Sequence, residues 1–577
     1  MEKVKKIKIV IDNKKILSQE GKTILEVAKE NNIEIPTLCY HPDLKVKANC
    51  RICVVEIKGK KGLFPACATK IEEGMEIFTN SEKVKRARKI NLELIFSQHC
   101  EECIDCVYNF NCQLLRLARE YKVEISRFKD RKKNYPIYNF SNCLIFDSSK
   151  CIDCRNCVEV CKNQGVGFLE IRKKGHLFQV APSKDPHKDC VFCGQCLLHC
   201  PAGAFEGKSE FEEIRAPFSE KGKILIFQFA PAIRVTIGEE FGFQLGEDVT
   251  KKLVSAIKKL GADLVFDTCV GADFTSLEEG EELIERLEKK EKLPMFTSCC
   301  PSWVKFVEFY YPELIPHLTE VRSPHIILGG LIKTFWAEKE RIDPKKIVVV
   351  SIMPCISKKY EIKREKLKIN GIAPVDYVLT TRELARLFKE EKINLKKIEE
   401  REPDLPLGFP SGAGIIYGTS GGVMESALRY VGKKLAFKKK NIKIELKQIR
   451  GKEGIREAEI KIGDKKIKIA ILSGLGNAKK VIEKIKENPS SYDYIEVMAC
   501  PGGCIGGGGQ PLPTNFEIRK KRGRSLYKID LRSKIRLPDE NPVVKEVYEK
   551  FFTSKEKVKS ICYTKFFPKK REVKIYE

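Results

Sequence analysis

Twenty-four cysteines, most of them in runs with two or three residues between thiols, limit what this 577-residue chain can fold into more than any other feature. In a short secreted chain such density means disulfides. In a chain of this length with repeated Cys-x2-Cys runs it means metal held by thiolates in a reducing compartment. One run, Cys151, Cys154, Cys157 and Cys161, recurs 39 residues later as Cys190, Cys193, Cys196 and Cys200, followed by Pro201.

The x2-x2-x3 spacing of that repeat is that of two-cluster ferredoxins, in which the fourth cysteine of each run ligates the other cluster. One [4Fe–4S] cube is therefore expected from Cys151, Cys154, Cys157 and Cys200, and the other from Cys190, Cys193, Cys196 and Cys161. Lys162 stands where proline is usual in the first run. Upstream, residues 3–17 alternate apolar and polar and read as a hairpin turning at Asn13 and Lys14. Thr23, with Glu26 three residues on, caps a helix. Cys39, Cys50, Cys53 and Cys67, on loops around this small β-grasp unit, suit a [2Fe–2S] rhomb, with structural zinc as the alternative. A basic helix from Ser81 to about Phe96 leads into His99, Cys103, Cys106 and Cys112, a ligand set open to zinc or iron, with Cys100 as a spare thiol. Arg127 to Tyr135 is a charged linker ending at Pro136.

From Lys223 the pattern changes to short apolar runs alternating with helices such as Val249–Leu260, which predicts parallel sheets with ligands at the carboxyl ends of the strands. Ile224–Phe229 precedes Ala230-Pro231, Leu264–Phe266 precedes Cys269, Ile347–Ile352 precedes Met353-Pro-Cys355, and Tyr494–Val497 precedes Met498-Ala-Cys500. After Cys500 six glycines fall in eight positions around Cys504, which points to backbone pressed closely against a bulky guest. A break near Glu361–Pro374 and a second α/β run from Ile442 predict two lobes closing over a crevice.

The 42% hydrophobic content is that of a folded protein. The formal charge of +28 comes from 107 basic and 79 acidic residues. The lysines are spread along the chain with no reader motif, so an acidic redox carrier is a better partner than nucleic acid. The opening residues carry no apolar leader, and no stretch of eighteen apolar residues occurs, so a cytoplasmic protein without a membrane span is expected.

Three motifs, Thr297-Ser-Cys299-Cys300-Pro, Met353-Pro-Cys355-x-x-Lys358 and Met498-Ala-Cys500-Pro-Gly-Gly-Cys504, resemble the active-site signatures of [FeFe]-hydrogenases. With the N-terminal runs, the likeness extends to the large clostridial-type enzymes and to modules shared with respiratory complex I. The resemblance implies a multidomain α+β and α/β protein. Its modules would be a β-grasp [2Fe–2S] domain at 1–82, a His(Cys)3-ligated [4Fe–4S] module at 83–122, a linker at 123–142 and a two-[4Fe–4S] ferredoxin-type domain at 143–210. After a linker at 211–222, a two-lobed catalytic domain at 223–577 would hold the H-cluster in its cleft. Cys300, Cys355, Cys500 and Cys504 would ligate the H-cluster cubane, with Cys504 bridging to a diiron subsite that carries CO, cyanide and a dithiolate. Lys358 would face cyanide, Met353 and Met498 would pack thioethers on the diiron unit, and Ala230 and Pro231 would contact a diatomic ligand. His325 stands where the family usually has Gln, and Tyr417 often corresponds to Phe. The reaction implied is reversible interconversion of H2 with protons and electrons. Ferredoxin would be the carrier, maturation proteins would deliver the diiron subsite, and NAD(P)-linked partner subunits would be the alternative setting. The chain has no nucleotide fingerprint of its own.

Proton transfer is expected along Arg286, Glu282, Thr319, Glu279 and Cys299; the resemblance implies that Cys299 faces the bridgehead amine of the dithiolate and that Thr319 stands where the family's relay has a serine. Ser276 to Lys290 reads as a helix on which Glu279, Glu282 and Arg286 share one edge, while Glu278, Glu281 and Glu285 point elsewhere as solvated charge. Cys100, Cys143, Cys269 and Cys562 receive no role beyond that of small buried residues.

Overall fold

The structure is a computed structural model that describes residues 5–99, 103, 106, 108, 112–130, 135–172, 178–211, 213–215, 220, 222–435, 450, 453–462 and 465–574. Its first unit is a five-stranded sheet with Ile7, Ile9 and Ile11 on the buried face of strand Lys6–Ile11. That strand pairs antiparallel with Lys14–Gln19. The turn is Asp12-Asn13, one residue earlier than the sequence reading, because both residues take positive φ (44° and 66°), as the tight hairpin turn matching strand twist requires. Thr23 and Glu26 form a reciprocal capping box on helix Ile24–Glu30.

The 39-residue repeat is visible in the backbone. Asp153 and Phe192 share φ near 55°, and Arg155 and Gly194 take φ of 65° and 71° at the starts of helices Asn156–Asn163 and Gln195–Leu198. The stretch read as a linker before residue 143 is partly structural. Strand Ile137–Phe140 pairs with Leu144–Asp147 and buries Tyr138 and Phe140, so hydrophobic alternation outweighs its neighbouring charges. The second linker also contributes packing, since Ile214 is buried in the catalytic core.

The region from residue 223 onward has two four-stranded sheets. The first is ordered Leu264–Asp267, Ile224–Phe229, Ile347–Met353, Tyr377–Thr380, all parallel. The second is ordered Met295–Phe296, Tyr494–Met498, Lys465–Ser473, Ile455–Ile462, parallel except for the last pair. The two lobes are therefore not consecutive in sequence, because the second takes its edge strand from residues 295–296. The run placed at Ile442 lies outside the described residues up to 449, and its first described strand begins at Ile455. The unit that carries the 39-residue cysteine repeat shares one hydrophobic core with the second lobe, with Phe140 and Phe192 from one side and Trp303, Ile356 and Leu475 from the other. No helix among the described residues is long and apolar enough to cross a membrane.

Candidate active site

Four strand ends, two from each sheet, meet at one cavity. Ile224–Phe229 delivers Ala230 and Pro231, and Ile347–Met353 delivers Met353 and Cys355. Met295–Phe296 leads to Cys299 and Cys300, and Tyr494–Met498 leads to Met498, Cys500 and Cys504. His325, Tyr417 and Lys358 complete the wall. The cavity holds about 70 Å³. That is room for several water-sized groups, and thiol, thioether and hydrocarbon make up most of the lining, with Thr268, His325, Lys358 and Tyr417 as its polar members.

The donor set fits an iron–sulfur group. Burial, and then neighbouring Cys355, pushes the Cys300 thiol up to about 11, and burial with Cys355 and Cys300 pushes Cys500 and Cys504 upward too. Three thiols that resist ionisation, gathered with Cys355, need bound cationic metal to become thiolates. A second observation agrees: His325 Nδ1 is buried without a hydrogen-bond partner among the described residues. Its Nε2 meets Glu361 at 2.6 Å.

Lys358 donates to Glu361 (2.6 Å) and to the Cys299 carbonyl (3.1 Å). Burial pulls the Lys358 ammonium down, but the Glu361 carboxylate outweighs it and the net direction is up. Glu361 is held down at about 2, because Lys358 and His325 outweigh burial. Sequence reading gave Glu361 no role, although its i, i+3 spacing from Lys358 was a usable signal. The glycine wall is packed mainly by the chain itself. A Cβ on Gly507 would lie 2.3 Å from the Pro354 carbonyl oxygen, and one on Gly508 would lie 2.8 Å from Gly194 Cα. Close approach is the reason for these glycines, with the protein's own backbone as the main neighbour.

The helix carrying the expected relay starts earlier than the sequence reading placed it, at Thr268, and runs to Lys289. Arg286 donates to Glu282 (2.5 Å), and Thr319 Oγ1 donates to the other Glu282 oxygen (2.6 Å). Glu279 is buried, accepts from the Tyr494 hydroxyl at 2.6 Å, and is pushed up to about 8 by burial. After burial, Glu279 is the group that most raises Cys299. Tyr417 bonds Ser276 (2.8 Å), which bonds Ser426 (2.6 Å). Glu285 is exposed and pairs with Lys289, as a solvated charge should. Glu281 is only partly exposed and meets Tyr430 and Lys434. Glu278 overturns the solvated reading: it is buried and accepts from Tyr548 and Tyr563. The reason is tertiary, because residues 542–563 cover that face of the helix.

Around the accessory sets, Cys53 and Cys67 thiols lie 3.3 Å apart and the Cys50 amide donates to Cys39 sulfur. Burial and then Cys200 and Cys151 push Cys154 up, while burial, Cys196, Cys193 and Cys161 do so for Cys190. Cys200 thus lies near the first run and Cys161 near the second. Cys193, pushed up to about 12 by burial, also responds to Cys300 and Cys355. His99 Nδ1 meets the Lys150 carbonyl at 2.8 Å, a contact that orients the ring. Cys103, Cys106 and Cys112 are described, and Cys100 lies outside the described residues. Cys143, Cys269 and Cys562 are buried, and Cys269 accepts from Arg234 at 3.1 Å. His41, Asp43 and His199 bring ligand atoms within 4.8 Å of one another. Arg519 and the Phe516 amide take the Asp43 oxygens, and the Thr514 carbonyl and Asp43 amide take the His41 nitrogens, so this set serves as a polar seam.

Family models match along the chain. They describe a 2Fe-2S iron-sulfur cluster binding domain (4–82), the NADH-ubiquinone oxidoreductase-G iron-sulfur binding region (88–127) and a 4Fe-4S dicluster domain (150–204). They continue with the iron only hydrogenase large subunit, C-terminal domain (223–508) and the iron hydrogenase small subunit (516–569). The last match lies within the stretch read as a single catalytic domain. The NADP-reducing hydrogenase subunit HndD of Solidesulfovibrio fructosivorans is 39% identical over 98% of this chain and 99% of that protein. Iron hydrogenase 1 of Clostridium pasteurianum is 39% identical over 94% of this chain and 96% of its own length. A structure of the apo [FeFe]-hydrogenase HydA1 from Chlamydomonas reinhardtii superposes with a TM-score of 0.56 at 36% identity, covering 62% of this chain and 99% of that one. Identity of this degree across nearly the whole length, together with cysteine sets gathered at one cavity, means that the chain belongs to the iron-only hydrogenase family.

Proposed function

We propose that this hydrogenase interconverts H2 with two protons and two electrons at an H-cluster held by Cys300, Cys355, Cys500 and Cys504, and exchanges electrons with an acidic ferredoxin. The observation that carries the reading is the convergence of four strand ends, three of them bringing thiols, on one cavity. When bound, the cubane and its diiron subsite, with CO, cyanide and a bridging dithiolate, supply the chemistry of making and splitting H2. The chain's part is to hold, shield and connect. Lys358, kept cationic by Glu361, provides positive charge at the wall, Met353 and Met498 exclude water, and Ala230 and Pro231 shape the pocket. His325 and Tyr417 close it. Cys299, Glu279, Thr319, Glu282 and Arg286 carry protons, and the gap between the Glu282–Thr319 pair and Glu279 is bridged through water.

Cys39, Cys50, Cys53 and Cys67 would hold one [2Fe–2S] cluster, and three accessory [4Fe–4S] clusters would supply the rest of the electron path. Those would be held by His99 with Cys103, Cys106 and Cys112; by Cys151, Cys154, Cys157 and Cys200; and by Cys190, Cys193, Cys196 and Cys161. Maturation proteins deliver the diiron subsite, and the cytoplasm is the setting. A second reading, a catalytic subunit in an NAD(P)-linked or electron-bifurcating complex, is favoured by the NADP-reducing relative that matches end to end. Turnover with an acidic ferredoxin should fall with ionic strength while turnover with a cationic viologen does not, since screening weakens only an attractive encounter. Equal salt response sinks the ferredoxin reading, and hydride exchange with NADP in a purified complex would establish the second. Absence of CO and cyanide infrared bands from matured protein would refute the site.

A further inference from the structure

Glu279 makes one hydrogen bond among the described residues, and it comes from an unexpected place. The donor is the hydroxyl of Tyr494, 215 positions away, at 2.6 Å. Tyr494 is 0% exposed and Glu279 1%. Tyr494 opens the central strand of the second lobe, where it is in register with Met295 on one side and Ile469 on the other. Its ring is therefore fixed by the sheet. The same strand ends at Met498, on the cavity wall, and leads directly to Cys500.

A buried glutamate has several rotatable bonds and few reasons to choose one pose. A proton carrier has to present its carboxyl toward the next group each time. We propose that Tyr494 is a positioning residue for proton transfer, anchoring one oxygen of Glu279 so that the carboxyl stays oriented toward Cys299. The inference rests on the reading of Glu279 as a proton carrier. The ionisable and charged groups around Glu279 are Glu282 and Arg286 on its own helix, Tyr494 and Glu496 on the strand, and Tyr417 and Cys299 across the cavity side. Of these, Tyr494 alone donates a hydrogen bond to it.

A donor on a carboxylate stabilises the ionised form. Removing the hydroxyl raises the proton affinity of Glu279 about tenfold, a shift of about one pH unit upward. The experiment is Tyr494→Phe in the fully matured protein. The apparent pKa in the pH profile of turnover should rise by about one unit and kcat should fall. Iron content, H-cluster infrared bands and KM for the electron donor should stay as in the parent. Tyr494→Phe combined with Glu279→Gln should lose no more than Glu279→Gln alone. A Tyr494→Phe profile parallel to the parent's, lower only in amplitude, would overturn the proposal. Full turnover in Glu279→Gln would instead sink the underlying relay and leave the hydrogen bond itself intact. If Tyr494→Phe does not yield iron-loaded protein, the parent-minus-Glu279→Gln infrared difference decides. A carboxyl band typical of a hydrogen-bonded acid supports the anchor, and one typical of a free acid refutes it.

Discussion

Replacing Gly508 by alanine tests how closely the catalytic wall touches the accessory wire. An ideal Cβ there would lie 2.8 Å from Gly194 Cα, 3.0 Å from the Cys193 carbonyl oxygen and 3.2 Å from the Gly194 carbonyl carbon. All three are backbone atoms of one loop, so no side chain can rotate away. Gly508 itself does not occupy the left-handed region, so the methyl is the whole perturbation. Carbon atoms rest about 3.5–4.0 Å apart, so the two loops must part by about 0.7 Å or more. Overpacking of this kind costs about 1–3 kcal/mol. The contact lies between Cys193, assigned to an accessory cube, and Cys504, assigned to the H-cluster, and Gln195 Nε2 donates to the Gly506 carbonyl at 3.0 Å in the same seam. Electron transfer weakens steeply with separation, while exchange of D2 with water protons needs only the catalytic site. Gly508→Ala should therefore lower donor-driven turnover several-fold, leave D2 exchange near the parent value, and lower the unfolding midpoint in guanidinium. If both activities fell together, or neither changed, the argument from close approach would be wrong.

Two further substitutions test the electrostatics. Glu279→Gln should abolish most turnover yet stabilise the protein at pH 8. The folded carboxyl is pushed up to about 8 from the usual 4.5 by burial, so stability from this group is present below about 4.5 and declines as pH rises through 8. Denaturant melts of the two proteins at pH 5 and 8 should converge at the lower value, and a constant difference would count against the shift. Lys305→Met strands Asp189, which the Lys305 ammonium meets at 2.8 Å with both side chains fully buried. The expected loss is about 3–5 kcal/mol, partly recovered by adding Asp189→Asn, and chemical denaturation of the four proteins measures it.

Local patterns were readable and distant ones were not. The fold class and the cysteine spacings depend on contacts three or four residues apart or on strand periodicity, both of which the chain displays directly. The 39-residue repeat even carries over into paired backbone conformations at Asp153 and Phe192. Glu278 was misread because helix position alone cannot tell which face a later segment covers, and here residues 542–563 cover it. The Tyr494–Glu279 contact bridges two lobes whose strands are interleaved in sequence, so no window contains it. Ile137–Phe140 reads as linker in the sequence because a four-residue strand beside charged residues is too short to give a clear periodic signal.

The core shared by the dicluster module and the second lobe has a consequence for engineering. The accessory modules look, in a linear diagram, like cargo that could be trimmed to make a smaller catalyst. Phe192 packs on Tyr360 at 5.1 Å, Lys305 lies over the Phe192 ring, and Arg571 clasps the carbonyls of Ser183 and Asp185. Cutting at Lys223 would uncover Tyr360 and neighbouring parts of that core and take Asp189 from Lys305, leaving the ammonium with Glu572 alone in a newly exposed apolar face. A minimal enzyme made from this chain would need that face redesigned residue by residue, and shortening the gene alone should give aggregated protein.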